Sequence, residues 1–160
     1  MSFRTTVLFY FVALTTASGL ADALPKGPVT VTRVVDGDTL HVKADGDDVT
    51  IRVRGIDCPE SRKVKKCGNF RPGLICKDEI KLGKAAAVEA RKLLNGATVT
   101  IEEDAGKDVF RRHLAYVRLS DGRDFGLTMI EFGLCRDFGW KYPHPRMAEY
   151  QKAQPEAAAR

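Results

Sequence analysis

Two short acidic turns and two arginines carry the chemistry open to this chain. Asp36-Gly37-Asp38-Thr39 is the first turn, Asp57-Cys58-Pro59-Glu60 the second, and Arg52 and Arg112 are the arginines. Carboxylate oxygens suit a hard divalent cation. Guanidinium groups match phosphate oxygens in pairs and do not lose their charge. Carboxylates alone would indicate a cation site and arginines alone an anion site. Together, at the ends of neighbouring strands, they indicate metal-assisted attack on a phosphodiester. Gly37 lets Asp36 and Asp38 leave one tight turn in nearly the same direction, although Asp-Gly pairs also make ordinary turns with no ion involved. Pro59 fixes the direction in which Glu60 points. Taken singly, a strand arginine such as Arg52, or one within Arg111-Arg112-His113, reads as a solvated surface charge; the set reads otherwise.

The elements that must position these groups are short strands. Val29 to Val35 is rich in β-branched residues and ends in the first acidic turn, and Thr39 to Lys43 alternates and returns. Asp45-Gly46 signals a tight turn. Val49 to Arg54 then alternates again, with Ile51 and Val53 on one face and Arg52 and Arg54 on the other. Residues 62–77 form a basic, irregular loop. A helix is predicted from Asp78, with Leu82, Ala86 and Leu93 on one face, stopped by Asn95-Gly96. Thr98 to Glu103 and His113 to Leu119 are predicted as the fourth and fifth strands. Leu127 to Phe132 reads as a short helix, Trp140 to Pro143 as extended, and Arg146 to Ala153 as a last helix limited by Pro155. The fold class is mainly β with α: a five-stranded OB-type β-barrel with about three helices.

The 160 residues suffice for one domain with its own core. Arg4, the apolar run Val7 to Leu14 and the triplet Ala21-Asp22-Ala23 have the layout of a secretory signal peptide over residues 1–23. A membrane anchor is the alternative, but the run falls short of the roughly 20 apolar residues a bilayer needs. The expectation is therefore an exported protein, periplasmic or extracellular, with a single domain over residues 24–160. Arg4 and Asp22 are the only charged side chains in residues 1–23, so the formal charge of +5 belongs to the remainder. Such a balance favours encounters with polyanions and says nothing about fold.

All four cysteines, Cys58, Cys67, Cys76 and Cys135, lie in that remainder, where an oxidising compartment permits disulfides. Zinc is the rival reading, but no pair has C-x-x-C spacing and His41, His113 and His144 are scattered. Four cysteines allow three pairings. Cys67 and Cys76 bracket a loop that a bond would close, contributing about 2–3 kcal/mol, which leaves Cys58 with Cys135.

Val29 to Arg54, the Asp57 to Glu60 turn, Gly83-Lys84-Ala85-Ala86 and Arg112-His113-Leu114-Ala115-Tyr116 resemble, in order, the staphylococcal nuclease (thermonuclease) family. The resemblance runs from Lys26 to about Tyr142. It implies an OB-fold barrel that hydrolyses DNA and RNA with Ca²⁺, both endo- and exonucleolytically, leaving 3′-phosphate ends. It also implies roles. Asp38, Asp57 and the backbone carbonyl of Cys58 would hold Ca²⁺. Asp36 would lie just outside that shell and orient bound water, while Thr39 steadies the turn. Glu60 would hold or deprotonate the attacking water, and Arg52 and Arg112 would grip the scissile phosphate. Cys58 stands where the family usually has Thr or Ala, and Arg111 where it usually has glycine. The two cysteines of the 62–77 loop and the proline-interrupted ending are further departures.

Lys63, Lys65 and Lys66 in the loop beside Glu60, and Lys84 on the helix, would track a phosphate backbone or form a solvated charge run. Trp140 and Tyr142 would flank a nucleotide, whereas Tyr116 belongs to the core. With so few stacking aromatics, little base specificity is expected. DNA and RNA are the expected partners and a monomer the expected state. The alternative function is a non-catalytic, nucleic-acid-binding OB-fold module; a third reading has the acidic turns holding Ca²⁺ only to stabilise the barrel.

Overall fold

A computed structural model describes residues 24, 27–65, 67–68, 70–71 and 73–158, with the side chains of 155–158 excepted. The expected leader, residues 1–23, and Lys66 lie outside the described residues. The elements run β1 (Pro28–Val34), β2 (Thr39–Ala44), β3 (Asp47–Val53), β4 (Ile56–Asp57), α1 (Cys76–Leu94), β5 (Thr98–Glu102), β6 (His113–Arg118), α2 (Phe125–Glu131), β7 (Arg136–Asp137) and α3 (Met147–Ala158). Five strands close into a barrel in the order β1-β2-β3-β6-β5, the OB-type architecture the sequence predicts. All its ladders are antiparallel except the seam between β3 and β6, which is parallel. Closure pairs every edge of this sheet, so the barrel itself presents no free strand edge among the described residues.

Alternation fills the barrel. Leu40 and Val42, Ile51 and Val53, and Val99 and Ile101 point inward from their strands. In β1 the alternation breaks, because Val29, Val31 and Val34 are the buried residues. A register shift between Val31 and Arg33 supplies the extra residue, turning Val34 inward and leaving Arg33 outside.

Helix α1 lies against the barrel on a stripe of small residues, Gly83, Ala86, Ala87 and Ala90, continued by Leu94. A Cβ on Gly83 would fall 2.4 Å from the carbonyl oxygen of Glu60, so glycine is what lets the helix touch the second acidic turn. The helix begins at Cys76 rather than at the expected Asp78. Its N-cap, Ile75, makes no side-chain cap, and Asp78 and Glu79 instead occupy the first turn, where the helix dipole favours acid. Helix α2 starts two residues earlier than predicted because Asp124 caps it, accepting the Leu127 N–H. Helix α3 passes through Pro155 to Ala158, and Trp140 to Pro143 is a turn rather than extended. There the N–H groups of Lys141 and Tyr142 donate to the carbonyl of Phe138. The Trp140 and Tyr142 rings pack edge-on against the Phe138 ring, at centroid distances of 5.7 and 5.2 Å.

Under the barrel floor, Arg146 joins three elements. Its guanidinium bonds Asp124 at 2.5 Å and Glu102 at 2.8 Å and lies 3.8 Å from the centre of the buried Tyr116 ring. Tyr150 of α3 donates its hydroxyl to the same Asp124. Next to it, His144 bridges the Tyr116 hydroxyl and Asp137, both at 2.9 Å. No helix among the described residues is long and apolar enough to cross a membrane.

The cysteines pair as the loop reading expects, Cys58 with Cys135 and Cys67 with Cys76. Replacing Cys67 and Cys76 together by serine is expected to lower the unfolding free energy by about 2–3 kcal/mol through the entropy of the freed loop. Urea denaturation of the double variant measures this, and an unchanged midpoint would show that the bond does not restrain the unfolded chain.

Candidate active site

The first acidic turn sits between β1 and β2, and both oxygens of its second carboxylate have partners. Asp38 Oδ2 accepts the Cys58 N–H at 2.9 Å and lies 2.5 Å from Arg52 Nη1, while Oδ1 accepts the Thr39 hydroxyl at 3.1 Å. Asp36 turns back to accept the Asp38 N–H at 3.2 Å. A Cβ on Gly37 would stand 2.9 Å from both Cβ and Sγ of Cys58, so this turn presses directly on the disulfide.

Arg52 pairs across the ladder with Thr39, which points its guanidinium at both turns. Besides Asp38 it reaches Asp57 Oδ1 at 3.6 Å. The other oxygen of Asp57, Oδ2, accepts from Arg136 Nη2 at 2.8 Å and Nε at 3.1 Å. Arg136 is absent from the sequence prediction. It arrives because β4 and β7 pair antiparallel with Asp57 opposite Arg136, and the Cys58–Cys135 bond ties the adjacent positions. That bond was the one signal in the sequence that could have found it.

Glu60 is exposed, and its main-chain N–H donates to Glu79 at 3.4 Å. Buried Glu79 also accepts the N–H groups of Gly68 at 2.5 Å and Phe70 at 3.3 Å, so one carboxylate shapes the loop that follows the second turn. Glu79 escaped the sequence reading as well; its place one helical turn before Gly83, on the same face, was the available clue.

Arg112 comes from the β5–β6 connection. Asp108 organises that loop, accepting the N–H groups of Phe110 at 2.9 Å and Arg112 at 3.0 Å. It also takes Arg112 Nε at 2.8 Å and Nη2 at 2.6 Å. Burial works to raise the Asp108 carboxyl, but the bonds from Arg112 prevail and hold it below its ordinary value.

Arg52, Asp57, Glu60 and Arg112 line one cleft of about 1090 Å³, together with Arg136 and the exposed aromatics Phe110, Trp140 and Tyr142. Asp36, Asp38 and Thr39 stand outside its lining and meet it through Arg52 and Cys58. Lys63, Lys65 and Lys84 are exposed but do not line it.

Three carboxylates beside the cleft are raised above their ordinary values, each chiefly by desolvation. Burial, then the neighbouring charge of Asp38, raises Asp36 to about 6. Burial also lifts Asp57, outweighing Arg136. Glu60, exposed as a residue but with its carboxyl partly enclosed by the cleft, is raised by that partial desolvation and then by Asp38, Glu79 and Asp57. Among the described residues no three His, Cys, Asp or Glu side chains make a metal cage alone. The donor chemistry nevertheless fits a hard cation, which takes a few carboxylate oxygens and completes its shell with carbonyls and water.

The family model described as Staphylococcal nuclease homologue matches residues 50–160. The chain belongs to this family. Among its relatives, the thermonuclease of Staphylococcus intermedius is 37% identical over 107 residues, covering 66% of this chain and 56% of the relative. SPbeta prophage-derived endonuclease YokF of Bacillus subtilis is 34% identical over 110 residues, 68% of this chain and 33% of its own length. Endonuclease YncB of the same organism is 33% identical over 110 residues, 68% of this chain and 46% of its own. The chain thus spans between a third and just over half of the length of these relatives. The closed mixed barrel with three helices agrees with a staphylococcal nuclease homologue. Its matched region includes Arg52, Asp57, Glu60 and Arg112 and begins after the first acidic turn.

One departure from the usual staphylococcal nuclease pattern has a measurable cost. Arg111, where glycine is usual, is held at a φ of 62°, in the left-handed region. A side chain there costs about 1–2 kcal/mol, part of which glycine would return through its freer unfolded state. Arg111→Gly is expected to stabilise the protein by about 0.5–1 kcal/mol, read as a raised denaturation midpoint. A lowered midpoint would mean that contacts of the arginine outweigh the strain.

Proposed function

We propose that this protein is an exported, Ca²⁺-dependent nuclease that hydrolyses phosphodiester bonds of DNA and RNA with little sequence preference and leaves 3′-phosphate ends. The observation that carries this reading is the convergence of Arg52, Glu60 and Arg112 with Asp57 on one cleft. Export rests on the signal-peptide layout of residues 1–23 and agrees with two disulfides.

Asp38, Asp57 and the carbonyl of Cys58 would hold the ion, which when bound supplies positive charge at the phosphoryl oxygen and orders water. Attack on the diester adds charge to oxygens that already carry one, and Arg52 and Arg112 offset that charge with donors already in place. Asp108 engages Nε and one Nη of Arg112, so its phosphate contact falls to the other Nη. Glu60 holds the attacking water and takes its proton; its raised carboxyl makes it a better base than an ordinary glutamate. Asp36 orients water from behind Asp38, and Thr39 steadies that turn through its hydroxyl bond to Asp38. Trp140 and Tyr142 offer ring faces to bases at the cleft, while Lys63, Lys65, Lys66 and Lys84 serve the more distant phosphates.

The test is incubation of the mature protein with DNA and RNA, in Ca²⁺ and in excess chelator. Cleavage in Ca²⁺ alone, with ends that a polymerase extends only after phosphatase treatment, is the expected result. Cleavage that persists in chelator would reject the role of the ion. Binding without cleavage would favour a non-catalytic module. In the same assay Glu60→Gln should lower kcat by about 10²-fold and leave the KM for DNA nearly unchanged; a rise in KM alone would make Glu60 a binding residue.

A further inference from the structure

Arg136 occupies a place that the proposed reaction does not use. Its Nη2 and Nε grip Asp57 Oδ2, and its Nη1 donates to the carbonyl of Phe70. Its guanidinium lies 4.8 Å from the centre of the Phe70 ring and 5.8 Å from that of Trp140. Phe70 and the strand that carries Arg136 are themselves held. Phe70 is buried and its N–H is held by Glu79. Arg136 pairs with Asp57 in the β4–β7 ladder, and Cys135 beside it is bonded to Cys58. The two oxygens of Asp57 are thereby divided: Oδ2 belongs to Arg136, and Oδ1 faces Arg52, which also holds Asp38.

We propose that Arg136 is a positioning residue of the active site, holding Asp57 by one oxygen so that only Oδ1 is offered to the divalent cation. This inference rests on the nuclease reading above. A fixed positive charge touching one ligand does two things. It stops the carboxylate from rotating to grip the ion with both oxygens, and it opposes the ion's own charge, so that the ion binds more weakly but in one geometry. Removing Arg136 therefore has effects of opposite sign on affinity and turnover, whereas a residue that merely supported the fold would weaken both.

The experiment is titration calorimetry of Ca²⁺ into the full mature protein without nucleic acid, alongside DNA hydrolysis at saturating Ca²⁺. Wild type is compared with Arg136→Gln and Arg136→Lys. Arg136→Gln should bind Ca²⁺ about 10-fold more tightly, with kcat lowered by roughly 10–100-fold and KM for DNA little changed. Arg136→Lys keeps the charge but not the two-pronged grip; it should bind Ca²⁺ as wild type does and regain only part of the turnover. Unchanged or weaker Ca²⁺ binding in Arg136→Gln, or an unchanged kcat, overturns the proposal. If Arg136→Gln does not fold, Arg136→Lys decides, since wild-type affinity with wild-type turnover overturns it too. A wild-type protein that binds Ca²⁺ but cleaves nothing defeats the nuclease reading instead, and one that binds no Ca²⁺ defeats both.

Discussion

Arg112→Ala is expected to hydrolyse DNA about 10³-fold more slowly or worse, with little change in its thermal unfolding. The rate loss follows from removing a fixed cation aimed at oxygens that gain charge in the transition state. The fold survives because Arg112 is bonded to Asp108 at the rim, and Asp108 keeps its backbone donor from Phe110. Arg52→Ala should lose as much activity and behave differently in stability. Arg52 is largely buried between Asp38 and Asp57, and its removal leaves two carboxylates facing each other without their shared cation. Breaking such a pair costs about 3–5 kcal/mol when deeply buried, and Arg136, which stays bonded to Asp57, softens this. The Arg52 variant should therefore gain a larger melting-temperature rise from Ca²⁺ than wild type or Arg112→Ala. Near-normal rates in either alanine variant would remove that arginine from the site, and equal Ca²⁺ responses would separate Arg52 from the ion.

Arg146→Met should cost about 3–5 kcal/mol of stability, a large part of the 5–15 kcal/mol that holds a typical domain together. The side chain is only 15% exposed, and its loss strands Asp124 and removes one of the two arginines on Glu102. Helix α3 follows directly, so Arg146 shares the docking of that helix with Tyr150, which bonds Asp124, and with Gln151 and Gln154, which bond Asp137. A pH signature accompanies the loss. The Glu102 carboxyl is held below its ordinary value of 4.5 by the bonds from Arg118, against burial and with help from Arg146. Between its folded and unfolded values the unfolded chain binds more protons, so this stabilisation is present above about pH 4.5 and disappears as pH falls through the folded value. Urea denaturation at neutral and acid pH should show a shallower acid loss in Arg146→Met than in wild type. Adding Asp124→Asn to Arg146→Met should recover part of the neutral-pH deficit, because the stranded charge is then gone. An additive further loss would show that Asp124 is held chiefly by Tyr150.

What the sequence made legible was whatever repeats locally. Ile51 and Val53 against Arg52, or Leu40 and Val42 against His41, announce strands and their buried faces. The acidic turns stand out because Gly37 and Pro59 constrain them. The hidden features depend on distant partners. The bulge before Val34 exists only in the pairing with β2. The early start of α1 reflects the Cys67–Cys76 bond and Glu79 reaching into the preceding loop. The turn at Trp140 requires Phe138 beneath it. Arg136 meets Asp57 across 79 positions, through two-residue strands too short to show any period. The lysines show how little sequence proximity says about placement: Lys63 and Lys65 follow Glu60 closely in the chain, yet neither lines the cleft.

The parallel seam between β3 and β6 governs when the protein can begin to work. A chain being synthesised releases the meander β1 to β3, with Asp38, Arg52 and the first acidic turn, and soon after it the second, long before His113 emerges to zip against Ile51. Until that late, non-local joining, Arg112 has no fixed position and the cylinder stays open. Incomplete chains ending before residue 112 thus carry both acidic turns and Arg52 without the second arginine of the cleft.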